Sequence, residues 1–197
     1  MEDFERAAEI IINGGTVIFP TDTVLGLGAI ANNSAAIEKI YDIKKRDHKK
    51  PISVLIADYE DILKVAEIPS REEGKLMEKF WPGPLTIILK KKANIPDILT
   101  SGGNTIGVRM PNSEIARNLI REVGFPLATT SVNISGEESA TSSSKINEKV
   151  HEKIDFILEA DESSSNKAST VVKIENGKAV ILREGDIKKA DIESALR

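Results

Sequence analysis

The sequence IKKRDHKKPISVLI, residues 43–56, joins a short basic segment to an apolar run, and this junction indicates the architecture of the chain. Residues 44–50 carry five permanent cations and one carboxylate, although the formal net charge of the chain is -4. A basic segment in an acidic chain favours a local anionic ligand, such as a phosphate, over a general attraction to polyanions. Its place directly before a buried strand supports that interpretation, because ligands of α/β proteins bind at strand ends. The alternative is a solvated loop with spare lysines.

Short apolar, β-branched runs alternate with helical patterns on both sides of this junction, and a hairpin follows late in the chain. This order predicts one α/β domain over residues 1–197, with a twisted mixed sheet and flanking helices. The predicted strands are 16–19, 52–56, 85–89, 105–109, 127–130, 156–158, 170–174 and 179–182. The predicted helices are 4–13, one capped by Asn33 or Ser34, 59–66, 71–80, 113–123, 145–151 and 186–195, while 135–144 is predicted to be a mobile loop.

Composition excludes several kinds of chemistry. The chain has no cysteine, so disulfides, thiolate nucleophiles and zinc–thiolate sites are excluded. His48 and His151 lie far apart, and neither has the spacing of a metal ligand. An aromatic content of 4% argues against a stacking platform for single-stranded nucleic acid. We therefore expect the chemistry to come from Lys, Arg, Ser, Thr, Asn and Asp.

The termini and the apolar runs bear on location. Residues 1–6 lack the pattern of a secretory signal, and no apolar run approaches the roughly 18 residues of a membrane span. We therefore expect a cytoplasmic protein that makes no contact with membranes.

The basic segment is the first candidate ligand site. A nucleoside triphosphate presents several negative charges in a small volume, and cations from one rigid, exposed loop can neutralise them together. Lys44, Arg46, Lys49 and Lys50 are predicted to do so, with the loop held in place by Pro51 and the following strand.

A second candidate is the segment Ser131-x-Asn133, with Gly136 nearby. It follows an apolar strand, so the hydroxyl and the amide lie just past a strand end. Such neutral groups bind phosphate, ribose or a metal–phosphate assembly without adding charge. The alternative is a turn whose polar side chains satisfy their own backbone.

The segment PTDTVLGLG, residues 20–28, is predicted to be a loop and is a third candidate. It follows a predicted strand, its hydroxyls offer hydrogen bonds, and Gly26 and Gly28 would let the backbone approach a ligand closely. The phosphate-loop pattern GxxxxGK[ST] is absent, and Asp22 could equally cap a turn.

Two arginines complete the candidates. Arg109 and Arg183 each end an apolar strand, where a surface ion pair is the alternative role. Ser169 opens the neighbouring strand of the late hairpin, so Arg183 and Ser169 are predicted to face one pocket. The corner Trp81-Pro82-Gly83-Pro84 is predicted to be structural.

Seven segments in order resemble the YrdC-like family of threonylcarbamoyl-AMP synthases, and the resemblance covers roughly residues 5–190. The order of seven segments makes the resemblance specific, although each segment alone is not. The segments are FPTDTVLGLG (19–28), IKKRDHKKPISVLI (43–56), FWPGPLTIIL (80–89), TIGVRMP (105–111), ATTSVNISG (128–136), STVVKI (169–174) and ILREG (181–185).

The resemblance implies a twisted α/β sheet with a concave, positively lined cavity. It implies an enzyme, a nucleotidyltransferase that converts L-threonine, bicarbonate and ATP, with Mg²⁺ as cofactor, into threonylcarbamoyl-AMP and pyrophosphate. That product would supply a downstream threonylcarbamoyl transferase machinery that modifies adenosine 37 of tRNA. Contact with double-stranded RNA or tRNA is a further expectation.

Residue roles follow from the same resemblance. The family's K-x-R motif corresponds to Lys44 and Arg46, and its S-x-N motif to Ser131 and Asn133; these four residues are the predicted catalytic set. The predicted ATP-binding set is Lys44, Arg46, Lys50, Arg109, Ser131, Asn133 and Arg183. The threonine side of the family pocket corresponds to Thr23, Thr105 and Ser169, and no protein metal site is predicted.

The chain departs from the family pattern at three positions. Many relatives have Tyr at the position of Leu25, His at that of Leu55 and Pro at that of Glu184. Because of the first two differences, contacts to threonine are expected to differ. The chain also ends near residue 197, and we expect a form without the additional carboxy-terminal domain of longer family members.

Two other functions remain open at this point. One is a module that binds double-stranded RNA or tRNA by shape and phosphate, without catalysis. The other is a related carbamoyl-adenylating activity that uses carbamoyl phosphate in hydrogenase maturation. That activity usually belongs to much longer chains with zinc-finger-like segments, which need the cysteines that this chain lacks.

Overall fold

The strands of the computed structural model form one mixed sheet. The model describes residues 2–134, 140, 142–159, 165 and 167–197. The strands are β1 Val17–Phe19, β2 Gly26–Ile30, β3 Ser53–Leu55, β4 Leu85–Lys90, β5 Thr105–Arg109, β6 Leu127–Ser131, β7 Phe156–Ile157, β8 Thr170–Glu175 and β9 Lys178–Arg183. Within the described residues the sheet has nine strands in the order β7-β1-β2-β6-β3-β5-β4-β8-β9. The predicted α/β class with a mixed sheet is confirmed.

Helices cover both faces of this sheet. They are α1 Glu2–Ile12, α2 Ser34–Lys44, α3 Ile62–Val65, α4 Arg71–Phe80, α5 Glu114–Val123, α6 Glu148–His151 and α7 Lys189–Ala195. Because side chains alternate between the faces of a strand, Ile18 packs into one core cluster while Val17 and Phe19 pack into the other. The first cluster includes buried residues of α2, α4 and α7, and the second includes those of α1 and α5.

Helix α2 leads directly into the candidate site, and its two ends explain its bounds. The side chain of Asn33 accepts hydrogen bonds from the amides of Ala35 and Ala36, as predicted for a cap. The helix ends at Lys44 because Lys45 takes the left-handed conformation, with φ 49° and ψ 43°. This change of direction starts the basic segment.

The prediction that residues 20–28 form a loop throughout is wrong, because Gly26 begins strand β2. A Cβ atom at Gly28 would lie 2.6 Å from Cε1 of Phe19, and one at Gly26 would lie 3.0 Å from Cγ2 of Thr129. These glycines make room for the neighbouring Phe19 and Thr129 side chains. The strand could not be predicted from the sequence, because glycine has a low β-propensity.

The late part of the chain follows the prediction in most respects. Asn176 and Gly177 both have positive φ, 51° and 74°, which gives the predicted tight hairpin between β8 and β9. The predicted helix 145–151 is shorter, because a 3-10 turn at residues 143–145 precedes α6. Of the loop predicted at 135–144, residues 135–139 and 141 lie outside the described residues.

The predicted corner at residues 81–84 is structural. Trp81 is buried, and its indole Nε1 donates a hydrogen bond to the carbonyl of Leu85 at 2.6 Å. Among the residues that the model describes, no helix is both long and apolar enough to cross a membrane.

Candidate active site

A cavity of about 190 Å³ opens where several strands end. Strands β3, β5, β6 and β9 reach it with their last residues, whereas β2 and β8 begin beside it. The polar side chains among the described residues that line it are those of Arg, Ser and Thr, and none of these lining residues is a carboxylate. The lining consists of Thr21, Thr23, Val24, Leu25, Gly26, Arg46, Pro51, Ile52, Ser53, Leu55, Thr86, Arg109, Thr129, Thr130, Ser131, Ala168, Ser169 and Arg183.

Arg46 enters this cavity from the basic segment. Its Nε donates a hydrogen bond to the carbonyl of Lys50 at 3.0 Å, and its Nη2 donates to the carbonyl of Pro51 at 2.9 Å. The guanidinium therefore lies along the backbone of its own loop. Since Arg46 also lines the cavity, its remaining N–H groups are available to an anion there.

The prediction that Lys44 is an exposed loop cation is wrong. Lys44 is the last residue of α2 and is only 1% exposed. Its Nζ donates to the carbonyl of Ser131, to the carbonyl of Asn133 at 2.9 Å and to Oδ1 of Asn133 at 2.6 Å. The ammonium thus connects α2 to the chain beyond β6, and it is not among the residues lining the cavity.

Ser131 and Asn133 meet Lys44 as one polar cluster. The hydroxyl of Ser131 donates to Oδ1 of Asn133 at 2.9 Å, so that oxygen accepts from two donors. Burial, with a smaller contribution from the Arg46 cation, lowers the pKa of Lys44 from 10.5 to about 7. The structure therefore brings the K-x-R and S-x-N segments together, although only Arg46 and Ser131 of the four residues line the cavity.

Arg109 is buried at the end of β5 and does not form the surface ion pair that was the alternative role. It is 4% exposed, and its Nη2 lies 3.2 Å from Oδ1 of Asp22. Its Nη1 is buried and has no hydrogen-bond partner among the residues that the structure describes. Because Arg109 lines the cavity, this N–H group is a donor that an anionic ligand could satisfy.

Arg183 and Ser169 share the cavity, as predicted. Arg183 donates from Nε to the carbonyl of Ser169 and from Nη2 to its Oγ, both at 3.0 Å. Oγ of Ser169 also lies 2.8 Å from Oγ1 of the buried Thr86. Thr86 of β4, Ser169 directly before β8 and Arg183 at the end of β9 are thus connected by side-chain hydrogen bonds at one wall.

The arginines act on one another electrostatically. Burial is the largest cause of a lowered pKa at Arg46, Arg109 and Arg183. The Arg46 cation lowers the pKa of Arg183 further, and the Arg183 cation does the same to Arg109. Repulsion between cations at one cavity is relieved when an anion binds between them. The cavity is therefore suited to a phosphate or carboxylate ligand.

Known proteins identify the family. The model of the Sua5/YciO/YrdC family, described by the words telomere recombination, matches residues 9–185. The chain belongs to the Sua5/YciO/YrdC family. A Methanocaldococcus jannaschii relative, provisionally named a threonylcarbamoyl-AMP synthase, is 44% identical over 178 residues, which are 90% of this chain and 83% of that protein. A Pyrococcus abyssi protein named threonylcarbamoyl-AMP synthase is 39% identical over 190 residues, which are 96% of this chain and 56% of that protein.

Solved structures of the Sua5/YciO/YrdC family support the same fold. Pyrococcus abyssi Sua5 complexed with L-threonine has a TM-score of 0.93 and 38% identity, covering 98% of this chain and 56% of that chain. Escherichia coli YciO has a TM-score of 0.85 and 26% identity, covering 96% of this chain and 92% of that chain. The chain therefore spans little more than half the length of the Pyrococcus relative.

Besides Lys44 and Asn133, two further predicted site residues do not line the cavity. Lys50 is exposed, and its carbonyl rather than its ammonium is engaged, by Arg46. Thr105 begins β5, four residues before Arg109, so strand geometry separates the two by about 13 Å. Gly136 lies outside the described residues. Thr23 lines the cavity as expected from the Sua5/YciO/YrdC pattern.

Two of the three departures from the Sua5/YciO/YrdC pattern lie at the site. Leu25 and Leu55 line the cavity, so apolar side chains stand where many relatives have a Tyr and a His. Ser53 and Thr86 line it as well. The sequence did not predict either residue as part of the site, because each is a single polar residue within an apolar strand. A polar residue that interrupts an apolar strand was the sequence feature that could have predicted a polar wall of the cavity.

The lining does not form a protein cage for a metal ion. No group of three or more His, Cys, Asp or Glu side chains that could hold a metal occurs in the part of the chain that the structure describes. Mg²⁺ usually needs one or two carboxylates together with substrate phosphates and water. This donor set fits Mg²⁺ only as an ion carried by a nucleotide.

Proposed function

We propose that this protein is a threonylcarbamoyl-AMP synthase, a nucleotidyltransferase. It converts L-threonine, bicarbonate and MgATP into threonylcarbamoyl-AMP and pyrophosphate. The names of the Methanocaldococcus and Pyrococcus relatives support the reaction, and the complex of Pyrococcus Sua5 with L-threonine supports the amino-acid substrate. The product would pass to a threonylcarbamoyl transferase machinery for modification of adenosine 37 of tRNA.

The observation that carries the proposal is the charge of the cavity. Arg46, Arg109 and Arg183 all line it, and no described lining residue is a carboxylate. The reaction brings together a triphosphate and a carbamate, both of which are anions. Cations held in a partly dry site stabilise them far better than water does.

The chemistry needs no covalent intermediate with the protein. Threonine's amine and bicarbonate first form a carbamate with loss of water. A carbamate oxygen then attacks the α-phosphorus of ATP, a new P–O bond forms, and the bond to the β-phosphate oxygen breaks with release of pyrophosphate. Positioning and electrostatic stabilisation supply most of the catalysis in such transfers. That demand matches a site of arginines and hydroxyls without histidine.

The arginines and Ser131 have different roles in this proposal. Arg46 and Arg183 would contact the triphosphate, and the Arg46 cation already lowers the pKa of Arg183. Arg109, with a buried Nη1 that lacks a partner, would contact a carboxylate or carbamate oxygen. Ser131 would hold an oxygen at the reacting centre, while Lys44 positions the Ser131–Asn133 segment from behind.

The activity is tested by incubating the purified protein with labelled bicarbonate, MgATP and one amino acid at a time. We expect a labelled adenylate and pyrophosphate only when threonine is present. Adenylate formed from carbamoyl phosphate without threonine would support the hydrogenase-maturation type of activity instead. RNA binding with no adenylate from any amino acid would favour the binding-module function.

A further inference from the structure

The basic segment is held in place by an aromatic pair outside the cavity. The rings of Tyr41, in α2, and His48, in the segment, lie with centroids 4.5 Å apart and an interplanar angle of 16°. The Tyr41 side chain is 1% exposed, whereas His48 is exposed. We call this pair the Tyr41–His48 stack. Neither residue lines the cavity.

Polar contacts fix both rings of the stack. Nε2 of His48 lies 2.9 Å from Oε1 of Glu38, one turn earlier on α2. The carbonyl of His48 accepts a hydrogen bond from Oγ of Ser101 at 2.6 Å. The ring of His48 therefore contacts Glu38 of α2, and its backbone carbonyl is hydrogen-bonded to Ser101 in the turn that precedes β5.

The hydroxyl of Tyr41 reaches the same stretch of backbone that Arg46 uses. It lies 3.1 Å from the carbonyls of both Lys50 and Ile98, so its single proton is shared between them. Burial raises the pKa of Tyr41, which keeps the hydroxyl protonated as a donor. The Lys50 carbonyl also accepts from Nε of Arg46. Tyr41 and Arg46 thus meet at one oxygen.

We propose that the Tyr41–His48 stack is a positioning device that aims Arg46 at the triphosphate of ATP. This inference rests on the proposed function. Arg46 takes its direction from the carbonyls of Lys50 and Pro51, and the stack fixes the path of the chain between Arg46 and those carbonyls. Without it, residues 47–50 would gain conformational freedom, and binding of the triphosphate would have to order them again.

The kinetic test compares KM for MgATP with KM for threonine. His48→Ala should raise KM for MgATP by about two- to tenfold, the loss expected for one aromatic pair. KM for threonine should stay within about twofold. His48→Phe keeps a ring over Tyr41 and should restore KM for MgATP. An equal rise in both KM values, or no rescue by a stably folded His48→Phe variant, would overturn the proposal.

Tyr59→Ala is the matched control. Tyr59 is a half-exposed ring, 46% exposed, that packs against the buried Trp81 at a centroid distance of 6.3 Å and does not line the cavity. Tyr59→Ala removes an aromatic pair comparable to the Tyr41–His48 stack, but at a place away from the basic segment. A rise in KM for MgATP in this variant as large as that in His48→Ala would mean that general destabilisation explains the effect, and the proposal would fail.

Tryptic cleavage tests the same device without any enzyme assay. Lys45, Arg46 and Lys49 are potential cleavage sites in the segment, whereas Lys50 precedes proline. We expect His48→Ala to be cut there several times faster than the native protein, and His48→Phe and Tyr59→Ala to be cut at the native rate. If the native protein forms no adenylate, the proposed function fails. The rate of tryptic cleavage then still shows whether the Tyr41–His48 stack orders the basic segment. Unchanged cleavage in His48→Ala would overturn the proposal.

Discussion

Lys44 donates a hydrogen bond from Nζ to Oδ1 of Asn133 at 2.6 Å, across 89 positions of sequence. The contact joins the end of helix α2 to the segment after strand β6. It also places the buried Lys44 ammonium behind the wall of the cavity. Stability and catalysis are therefore expected to be coupled at this point of the Sua5/YciO/YrdC fold.

The first prediction concerns the stability that Lys44 provides. Lys44→Met keeps much of the side-chain volume but removes the donor from three oxygens, so the free energy of unfolding should fall by about 1–3 kcal/mol. Urea unfolding followed by circular dichroism measures the change. Lys49→Ala, which removes an exposed cation of the same segment, should stay within about 0.5 kcal/mol. Equal values for Lys44→Met and the native protein would contradict the structural role of Lys44.

The second prediction concerns pH. The pKa of Lys44 falls from 10.5 to about 7 on folding, so between these values the unfolded chain binds more protons than the folded one. The stability of the native protein should therefore rise with pH from 7 to 10, relative to Lys44→Met, with a slope of at most about 1.4 kcal/mol per pH unit. Urea midpoints of both proteins at several pH values measure this difference. A difference that falls with pH would mean that the three oxygens hold the ammonium in its charged form.

The third prediction concerns Asn133. Asn133→Ala removes the acceptor shared by Lys44 and Ser131, and it should reduce turnover more than it weakens ATP binding, as expected for an interaction that matters mostly in the transition state. Calorimetric ATP affinity and turnover are compared in the same variant. Asn133→Asp keeps an acceptor for Lys44 and serves as the control for folding. Equal losses would make Asn133 a ground-state contact, and lost stability with normal turnover would make it a structural turn.

The fourth prediction concerns Arg46. Arg46→Ala should lower the rate of pyrophosphate release at least about tenfold, because it removes a charge-assisted contact to phosphate. The free energy of unfolding should change by less than about 1 kcal/mol, since the guanidinium donates hydrogen bonds to the Lys50 and Pro51 carbonyls of its own loop. Arg46→Lys keeps the charge but loses the forked geometry and should recover only part of the rate. Full activity in Arg46→Ala would make the basic segment a solvated loop.

The fifth prediction concerns the buried pair of Asp22 and Arg109. Arg109→Met leaves the Asp22 carboxylate buried without its cation and should cost about 3–5 kcal/mol. The double variant Asp22→Asn, Arg109→Met should be destabilised by at least about 1 kcal/mol less than the sum of the single variants. The exposed pair of Asp58 and Arg121 is the control, with an expected coupling of about 0–1 kcal/mol. Additive single effects at Asp22 and Arg109 would show that the two charges do not depend on each other.

Local patterns predicted much of the fold and part of the site. The strands other than β2 appear as short apolar runs, Asn33 caps α2, and Asn176 and Gly177 form the late hairpin. These features depend on residues close to one another in sequence, so their physical causes are visible there. Six of the predicted site residues line the cavity: Thr23, Arg46, Arg109, Ser131, Ser169 and Arg183.

Contacts between distant segments could not be predicted in the same way. Strand β2 was not predicted, because its glycines fit against Phe19 and Thr129 and neither neighbour can be inferred from the run GLGAI. Lys50 and Thr105 were assigned to the site by their motifs, but the side chains that line the cavity depend on which strand ends meet there.

The sequence by itself determined that this is an α/β protein with a basic segment between α2 and β3 and two polar segments that follow strands. Only the tertiary structure decided that Lys44 is buried, that Arg109 pairs with Asp22, and that the Tyr41–His48 stack holds the segment. The reason is the strand order, in which β6 lies between β2 and β3. That order places Ser131 beside the end of α2, 87 positions from Lys44, and no local preference encodes such a neighbour.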